Sequence, residues 1–284
     1  MAKDRWPDLC ELVRDDDGLP VRTIGPWTED KLWYWNRYVE ITTVGMSRAW
    51  PNGLCYIDLF AGSGVCERRD NRQRVPGSAL LAARAPVPFR SLILVEKDPA
   101  LAVACESRVR QCKSGLTTVT MLNQDCNDAI DQVIQAIPVG ALSLAFVDPE
   151  SLQVRFNTLR TLASRGKVDL LVLLPTGYDI VRNIALYELQ DDSKLDRVLG
   201  TTSWRQRLAK LENRQSQKII DFFSDEYTSR LRDELGYQHV DVIPIKHNNT
   251  NYYNLVYASE HPQGLNFWRK AVARERTGQL GLGF

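Results

Sequence analysis

Short apolar runs alternate with stretches of helical spacing over residues 54–174, and this alternation constrains the fold more than any other sequence feature. Each run has the length of a strand, and most are apolar on both faces, as strands buried between two layers are. The five runs are 54–60, 91–96, 117–122, 141–147 and 168–174. The pattern predicts an α/β fold with a parallel sheet and helices on both of its faces.

The chain beyond the fifth run departs from this alternation. Residues 178–235 are helical and polar in pattern, and two strand-like segments, 239–245 and 252–259, follow them. Asn248-Asn249-Thr250-Asn251 between these segments is typical of a hairpin turn. Seven strands with a hairpin-like last pair resemble the Rossmann-like sheet of class I methyltransferases, which is parallel except for its last strand.

The domain organisation predicted from these patterns is simple. The first 24 residues are polar and include Asp15-Asp16-Asp17-Gly18, which is typical of a partly ordered leader. We predict an N-terminal leader over 1–24 and a single methyltransferase-like domain over 25–284. We expect the helical segment, at about 185–236, to be an insertion after the fifth strand.

Composition excludes several classes of protein. Hydrophobic residues make up 44% of the chain and the formal net charge is +1, so a globular core is expected and net charge gives no argument for a polyanionic partner. Six cysteines without a C-x-x-C pair and three histidines predict no metal site and reduced thiols. No apolar run is long enough to span a bilayer, and the N-terminus lacks a signal-peptide pattern. We therefore expect a cytoplasmic protein that neither spans nor binds a membrane.

The strongest motif is a glycine-rich turn that follows the first buried strand, over residues 56–64. Ligands bind at the carboxyl ends of parallel strands, and Gly62 and Gly64 let the backbone approach one closely. A dinucleotide-binding motif is the competing interpretation, but its third glycine is replaced by Glu67. The motif resembles the S-adenosyl-L-methionine (SAM) loop of methyltransferases, in which Asp58 would orient the loop and the amino acid portion of the cofactor. The candidate cofactor-binding residues of this loop are Asp58, Phe60, Ala61, Gly62, Ser63 and Gly64.

Further acidic residues follow the next two predicted strands. Glu96, with Lys97, ends the second strand, and its carboxylate is placed to accept hydrogen bonds from ribose hydroxyls. Asp125, with Cys126, follows the third strand and would accept from an adenine amino group. Any one of these carboxylates taken alone is explained as a helix cap or a loop residue. Their repetition at successive strand ends favours a cofactor site.

Asp148-Pro149-Glu150 follows the fourth strand and carries the predicted chemistry. It resembles the D/N-P-P-Y/F motif of methyltransferases that act on exocyclic amines, in which a side-chain oxygen and a backbone carbonyl accept hydrogen bonds from the amine. The resemblance makes Asp148 and Pro149 the candidate catalytic residues. Glu150 replaces the second proline, and Ser151 stands where an aromatic residue is expected. The alternative is a turn that only ends the strand.

Glu150 is also a candidate for contact with a substrate, and two other groups are candidates beside it. Tyr178, Arg182 and Asn183 follow the fifth strand, beside the expected mouth of the site. Arg68 and Arg69 lie in an arginine-rich segment directly after the glycine loop, where they could hold phosphates. A solvated loop whose acidic residues balance its arginines explains the second group equally well.

Taken together, these segments resemble the three-Cys-motif partner (TcmP) family over about residues 24–268. The segments that carry the resemblance are 21–32, 57–64, 76–82, 125–127, 142–149, 170–176, 182–183 and 252–259. The family usually continues Asp-Pro with an aromatic residue and Gly-Leu, whereas this chain has Glu150-Ser151-Leu152. The resemblance implies a class I, SAM-dependent methyltransferase-like protein with a dedicated radical-SAM-like partner that bears the three-cysteine motif.

Three functions remain open at this point. The first is N-methylation of a nucleobase, nucleotide or nucleic acid with SAM as the cofactor. The second is SAM binding without methylation, in support of the three-cysteine partner. The third, a nicotinamide-dependent oxidoreductase, is disfavoured because the dinucleotide glycine pattern is incomplete.

Overall fold

The structure is a computed structural model that describes residues 4–247 and 250–273. The strands are β1 (Arg22–Ile24), β2 (Leu54–Asp58), β3 (Val65–Arg68), β4 (Arg74–Pro76), β5 (Ser91–Val95), β6 (Thr118–Leu122), β7 (Leu142–Val147), β8 (Val168–Leu174), β9 (His239–His247) and β10 (Thr250–Ser259). The helices are α1 (Trp6–Glu11), α2 (Trp27–Met46), α3 (Ser78–Ala83), α4 (Pro99–Cys112), α5 (Cys126–Ala136), α6 (Phe156–Ala163), α7 (Val181–Leu189), α8 (Lys194–Leu199), α9 (Trp204–Leu208), α10 (Ser216–Leu235) and α11 (Pro262–Val272).

The main sheet has seven strands in the order β6-β5-β2-β7-β8-β10-β9. β2 pairs in parallel with both β5 and β7, whereas β10 is antiparallel to both β8 and β9. The last strand is therefore the reversed one, and it lies between the fifth and the sixth. This is the strand order of class I methyltransferases, so the predicted fold class is confirmed. Of the predicted hairpin turn, Asn248 and Asn249 lie outside the described residues.

Four helices, α7 to α10, occupy the chain between β8 and β9, as the predicted helical insertion requires. α8 begins with a capping box in which Ser193 and Asp196 satisfy each other's backbone N–H groups. The Asp196 carboxylate also accepts from Trp204 Nε1 at 2.7 Å and pairs with Arg205 at 2.5 Å. A buried carboxylate with this many donors ties the start of α8 to α9.

A second sheet, which the sequence patterns did not predict, consists of β1, β3 and β4 in that order. The glycine loop leads into the β3–β4 hairpin, and α3 begins only at Ser78. β1 comes from the predicted leader and pairs in parallel with β3, with Arg22 opposite Cys66. The glycine loop is therefore followed by the strands β3 and β4, and β1 of the N-terminal segment pairs with β3.

The chain divides into two compact units. The first comprises the described residues up to Phe146 together with those from Asn266 onward, and the second comprises Val147–Leu265. In the first unit, Trp35 stacks on Phe146 with ring centroids 4.8 Å apart, and Tyr38 meets Trp268 edge to face. Over residues 4–247 and 250–273, no helix is long and apolar enough to cross a membrane.

Candidate functional site

The carboxylate of Asp58 is fully buried at the end of β2 and organises the turn that follows. Its Oδ1 accepts a hydrogen bond from the Phe60 N–H at 3.1 Å, and its Oδ2 accepts from the Tyr56 hydroxyl at 3.0 Å. Tyr56 in turn accepts from Trp35 Nε1 at 3.1 Å. Burial, reinforced by the charge of Asp58, raises the pKa of Tyr56 far above its ordinary value, so the phenol stays a donor. Asp58 therefore holds the start of the glycine loop through the Phe60 N–H, and its predicted role towards the cofactor stays a prediction.

The loop itself needs both of its glycines. Gly62 and Gly64 have φ angles of +60° and +78°, in the left-handed region that side chains with a Cβ rarely adopt. The Ala61 N–H donates to the Val95 carbonyl at 2.9 Å, and the Gly64 carbonyl accepts from the Gly77 N–H at 2.8 Å. These bonds fix the loop against β5 and the start of α3. The predicted loop residues Ala61, Gly62, Ser63 and Gly64 are buried, and Phe60 is half-buried.

Glu96, directly after β5, is buried and bound to the same loop. Its Oε2 accepts from the Gly62 N–H at 2.9 Å, and its Oε1 accepts from the Asp98 N–H at 2.8 Å. Each carboxylate oxygen has two acceptor sites, so Glu96 can hold the loop and still accept from a ligand's hydroxyl groups. The sequence analysis did not predict the hydrogen bond between Glu96 and Gly62, and the ligand role of Glu96 stays a prediction.

Asp125 caps α5 and lies beside Lys97. Its Oδ1 accepts from the Asn127 N–H at 3.0 Å and from the Asn127 side-chain amide at 2.9 Å, while Lys97 Nζ is 3.3 Å from Oδ2. Burial raises the pKa of Asp125, but these donors outweigh it and the pKa falls below its usual value. Burial raises the pKa of the neighbouring Cys126 thiol to about 12, so this side chain remains a neutral thiol. Asp125 is thus an ionised acceptor, and Cys126 offers no charge.

Arg108, on α4, is a buried residue of this region that the sequence analysis missed. Its Nε and one Nη2 hydrogen reach the two carboxylate oxygens of Asp17, both at 2.7 Å. The other Nη2 hydrogen donates to the Leu19 carbonyl at 3.1 Å. The Nη1 group donates to the carbonyls of Pro20, at 2.8 Å, and Ser63, at 2.7 Å. All five guanidinium donors are therefore used, and they join the N-terminal segment to the glycine loop.

The ion pair of Asp17 and Arg108 predicts a specific dependence of stability on pH. The Arg108 hydrogen bond lowers the pKa of Asp17 to about 2, so its stabilising effect is complete above about pH 4 and is lost as the pH falls through 2. Because the Asp17 side chain is 40% exposed, solvent screening leaves about 1 kcal/mol. Urea unfolding of wild type and Asp17→Asn should differ by that amount at pH 7. The two curves should converge as the pH falls from 4 towards 2, and a difference that stays constant would contradict this assignment.

The predicted catalytic residues begin the second unit. Asp148 is half-buried, Pro149 is buried and Glu150 is exposed. The Glu150 N–H donates to Gln153 Oε1 at 3.1 Å, which closes a tight loop after the strand. The exposed carboxylate of Glu150 stands where an apolar proline is expected, so this loop has a more negative surface than the motif that it resembles.

A π-helical turn, Thr176–Ile180, follows β8 and holds this loop. Within it, the buried Asp179 accepts from the Leu152 N–H at 3.4 Å, from the Tyr187 hydroxyl at 2.6 Å and from Asn183 Nδ2 at 2.9 Å. Asn183, a predicted substrate residue, therefore positions Asp179. π-helical turns are rare and are frequently found at functional sites.

Three tyrosines form a layered cluster in the second unit, which we call the tyrosine stack: Tyr178, Tyr252 and Tyr253. Tyr178 stacks on Tyr253 with ring centroids 5.7 Å apart and on Tyr252 at 6.2 Å. The guanidinium of Arg182 lies over the Tyr178 ring, 4.8 Å from its centroid, and 5.9 Å from that of Tyr252. The structure thus brings the predicted residues Tyr178 and Arg182 together and adds two tyrosines of β10.

The tyrosine stack shares its electrostatic environment with the predicted catalytic loop. Burial raises the pKa of Tyr253, and the neighbouring Tyr178, Asp148 and Glu150 raise it further. The Tyr253 phenol is therefore protonated at neutral pH and remains a hydrogen-bond donor. Asp148, Glu150 and the tyrosine stack form one region that combines acceptors with aromatic faces.

The arginines after the glycine loop are arranged differently from one another. Arg68 Nη1 pairs with the buried Glu29 at 2.9 Å, and its Nη2 pairs with Asp70 at 2.7 Å. The hydrogen bonds that Arg68 donates to the Asp70 carboxylate are the main cause that raises the pKa of Arg68, and the charge of Glu29 raises it further. Arg69 has an exposed side chain. A phosphate at Arg68 would compete with two carboxylates, whereas Arg69 faces solvent.

Comparisons with known proteins agree with the fold. No family model matches the chain, and no curated protein matches it. A solved structure of protein LPL1258 from Legionella pneumophila, of the DUF519 family, is 10% identical and superposes with a TM-score of 0.50 over 83% of this chain and 89% of that one. This likeness concerns the fold alone.

Two further solved structures are similar at lower scores. Trm1 from Pyrococcus horikoshii, solved with S-adenosyl-L-methionine, is 12% identical over 85% of this chain and 58% of that one, with a TM-score of 0.43. An O-methyltransferase from Bacillus cereus, solved in complex with SAH, is 9% identical over 91% and 92% of the two chains, also with a TM-score of 0.43.

Proposed function

We propose that this chain is a SAM-dependent methyltransferase. The observation that carries the proposal is that Asp58 and Glu96, at the ends of the neighbouring strands β2 and β5, both bind the left-handed glycine loop. In a class I sheet, this edge is where a nucleotide-like cofactor binds. A row of acceptors suits the hydroxyl and amino groups of adenosine, whereas the incomplete glycine pattern argues against a dinucleotide.

The residues present fit SAM in chemical type. Glu96 would accept from the ribose hydroxyls, Asp125 from the adenine amino group, and Asp58 would orient the loop towards the amino acid portion. The chemistry that SAM supplies when bound is an electrophilic methyl group on a sulfonium. The role left to the protein is to hold the acceptor nitrogen in line with this methyl group and its sulfur, and to stabilise the charge that develops on the nitrogen.

The methyl acceptor that suits the residues of the second unit best is a nucleobase nitrogen, in a nucleotide or in a nucleic acid. Asp148 Oδ and the Pro149 carbonyl would accept hydrogen bonds from an exocyclic amine and leave its lone pair free to attack. The tyrosine stack offers an aromatic face to a flat base, since base–aromatic stacking contributes about 1–3 kcal/mol per base. Arg182, whose guanidinium lies over two of these rings, would bind a phosphate of the substrate.

Transfer of labelled methyl groups from SAM to DNA, RNA, nucleotides and proteins tests this proposal. Asp148→Ala should reduce incorporation at least about 100-fold, because it removes the acceptor that orients the amine. The same variant should bind SAM as the wild type does. Asp131→Ala, an exposed acid on α5, is the matched control and should transfer at the wild-type rate. Retained turnover in Asp148→Ala would refute the catalytic role of Asp148.

A second candidate function follows from the family resemblance to TcmP proteins. Glu150 and Ser151 replace the proline and the aromatic residue of the amine-methylating motif. That departure favours a chain that binds SAM without transferring its methyl group and that supports a radical-SAM-like three-cysteine partner. SAM binding with no labelled product, in the presence and in the absence of such a partner, would favour this function over the first.

A further inference from the structure

Two consecutive residues of the π-helical turn anchor two different parts of the proposed acceptor site. Tyr178 stacks on the Tyr253 ring of β10, with ring centroids 5.7 Å apart. Asp179, the next residue, is buried, and its Oδ2 accepts a hydrogen bond from the Leu152 N–H at 3.4 Å. The tyrosine stack and the segment that contains Leu152 are therefore both fixed to one short, planar stretch of backbone.

This segment, residues 148–153, is called the acceptor loop below, because it begins with the two candidate catalytic residues. The Glu150 N–H donates to Gln153 Oε1 at 3.1 Å, and the Gln153 N–H donates to the Ser151 carbonyl at 2.9 Å. Leu152 is buried. Since the loop is short and bonded to itself, the hydrogen bond at Leu152 also restrains its first two residues.

The Asp179 carboxylate is held from the other side by α7. Its Oδ1 accepts from the Tyr187 hydroxyl at 2.6 Å and from Asn183 Nδ2 at 2.9 Å. Burial, with the hydrogen bond to Asp179 and its charge, raises the pKa of Tyr187 above its ordinary value, so the phenol remains a donor. A buried carboxylate is costly unless donors such as these surround it. Asp179 is therefore fixed in place and can in turn fix the acceptor loop.

The end of α7 that carries Tyr187 is fixed by the helical insertion. The guanidinium of Arg205 donates to three carbonyls there, those of Tyr187 at 2.7 Å, Glu188 at 3.2 Å and Gln190 at 2.7 Å. Carbonyls at the end of a helix have no partner within it, so these bonds stabilise the last turn. Arg205 also pairs with Asp196 of α8. Contacts thus continue from α8 and α9 through α7 to the Asp179 carboxylate.

We propose that Asp179 is a positioning residue for methyl transfer, which holds the acceptor loop in a fixed position relative to the tyrosine stack. The inference rests on the proposed function, in which the loop binds the amine and the stack binds the base. A base on the stack presents its amine to Asp148 only if the two keep their relative position, and an error of about 1 Å can cost roughly 100-fold in rate. Tyr187 acts through Asp179.

Methyl-transfer kinetics and calorimetry test this role together, with the acceptor that the wild type labels among DNA, RNA and nucleotides. Asp179→Ala should lower kcat about 100-fold, because the acceptor loop loses its anchor. The Kd of SAM should stay within about 3-fold of the wild type, since the proposed cofactor residues belong to the first unit. Asp179→Asn keeps one acceptor oxygen and should recover kcat to within about 10-fold of the wild type. Asp221→Ala, an exposed acid of α10, is the matched control and should transfer normally.

Two further measurements distinguish positioning from a merely structural role. Amide hydrogen exchange at Leu152 should be faster in Asp179→Ala than in the wild type, because its N–H has lost its acceptor. Tyr187→Phe should lower kcat about 10-fold, and combined with Asp179→Ala it should lower kcat no further, since it acts through the same carboxylate.

The outcomes that overturn this role differ from the one that overturns the proposed function. Wild-type kcat in a folded Asp179→Ala, or a further loss in the double variant, would overturn the role of Asp179 alone. If Asp179→Ala does not fold, unchanged kcat in Tyr187→Phe would overturn it. A wild type that binds SAM but labels none of these acceptors would overturn the proposed function and this role with it.

Discussion

Replacing Glu96 by alanine is expected to lower the affinity for SAM about 100-fold or more. The Glu96 carboxylate would accept hydrogen bonds from the ribose hydroxyls. It also accepts hydrogen bonds from the Gly62 and Asp98 N–H groups, which anchors the glycine loop. Charge-assisted hydrogen bonds contribute about 1.5–3 kcal/mol each, and loss of the loop anchor adds to that. Isothermal titration of wild type and variant with SAM measures the change.

The controls for this substitution separate charge from loop anchoring. Glu96→Gln keeps one acceptor oxygen and should lose affinity by about 10-fold, between the wild type and the alanine variant. Glu106→Ala, on α4, removes an acid that pairs with Arg110 across an exposed helical turn and should bind SAM normally. If a folded Glu96→Ala variant binds SAM with wild-type affinity, Glu96 does not accept hydrogen bonds from the ribose hydroxyls.

Gly177→Ala is expected to cost about 3 kcal/mol or more of stability. A Cβ on this residue of the π-helical turn would overlap the carbonyl oxygen of Asn251, which is a backbone atom. Backbone cannot rotate away as a side chain can, so the turn or β10 must move. Urea or thermal unfolding of the variant measures the loss.

Gly115→Ala is the matched control for that experiment, because nothing lies within 4 Å of its added Cβ and its φ is not positive. It should be neutral or slightly stabilising. If Gly177→Ala unfolds with the same midpoint as Gly115→Ala, the close approach of the π-helical turn to β10 is wrong.

The strands could be predicted from sequence because a strand buried on both faces requires a nearly continuous run of apolar residues. β8, for example, is apolar at every position except Asp169, and all of its residues are buried. Asp58 and Glu96 could be found for a related reason: a polar residue directly after such a run falls at the ligand-binding edge. The order of the strands required the family resemblance, since periodicity says nothing about which strands are neighbours.

The parts that sequence reasoning missed depend on residues far apart in the chain. Arg108 binds Asp17 from 91 residues away, and no local pattern distinguishes it from an ordinary helix-surface arginine. The tyrosine stack joins a π-helical turn to β10 in the same way. The strands β3 and β4 have only four and three residues, so they are too short to show a recognisable alternation of apolar and polar residues.

Calorimetric titration of the wild-type protein with SAM, S-adenosylhomocysteine and NAD tests the central claim most directly. The arrangement of Asp58, Glu96 and the glycine loop predicts saturable binding of SAM and S-adenosylhomocysteine at one site per chain, and no binding of NAD. Binding of NAD without binding of SAM or S-adenosylhomocysteine would contradict the account and indicate a dinucleotide enzyme built on the same sheet.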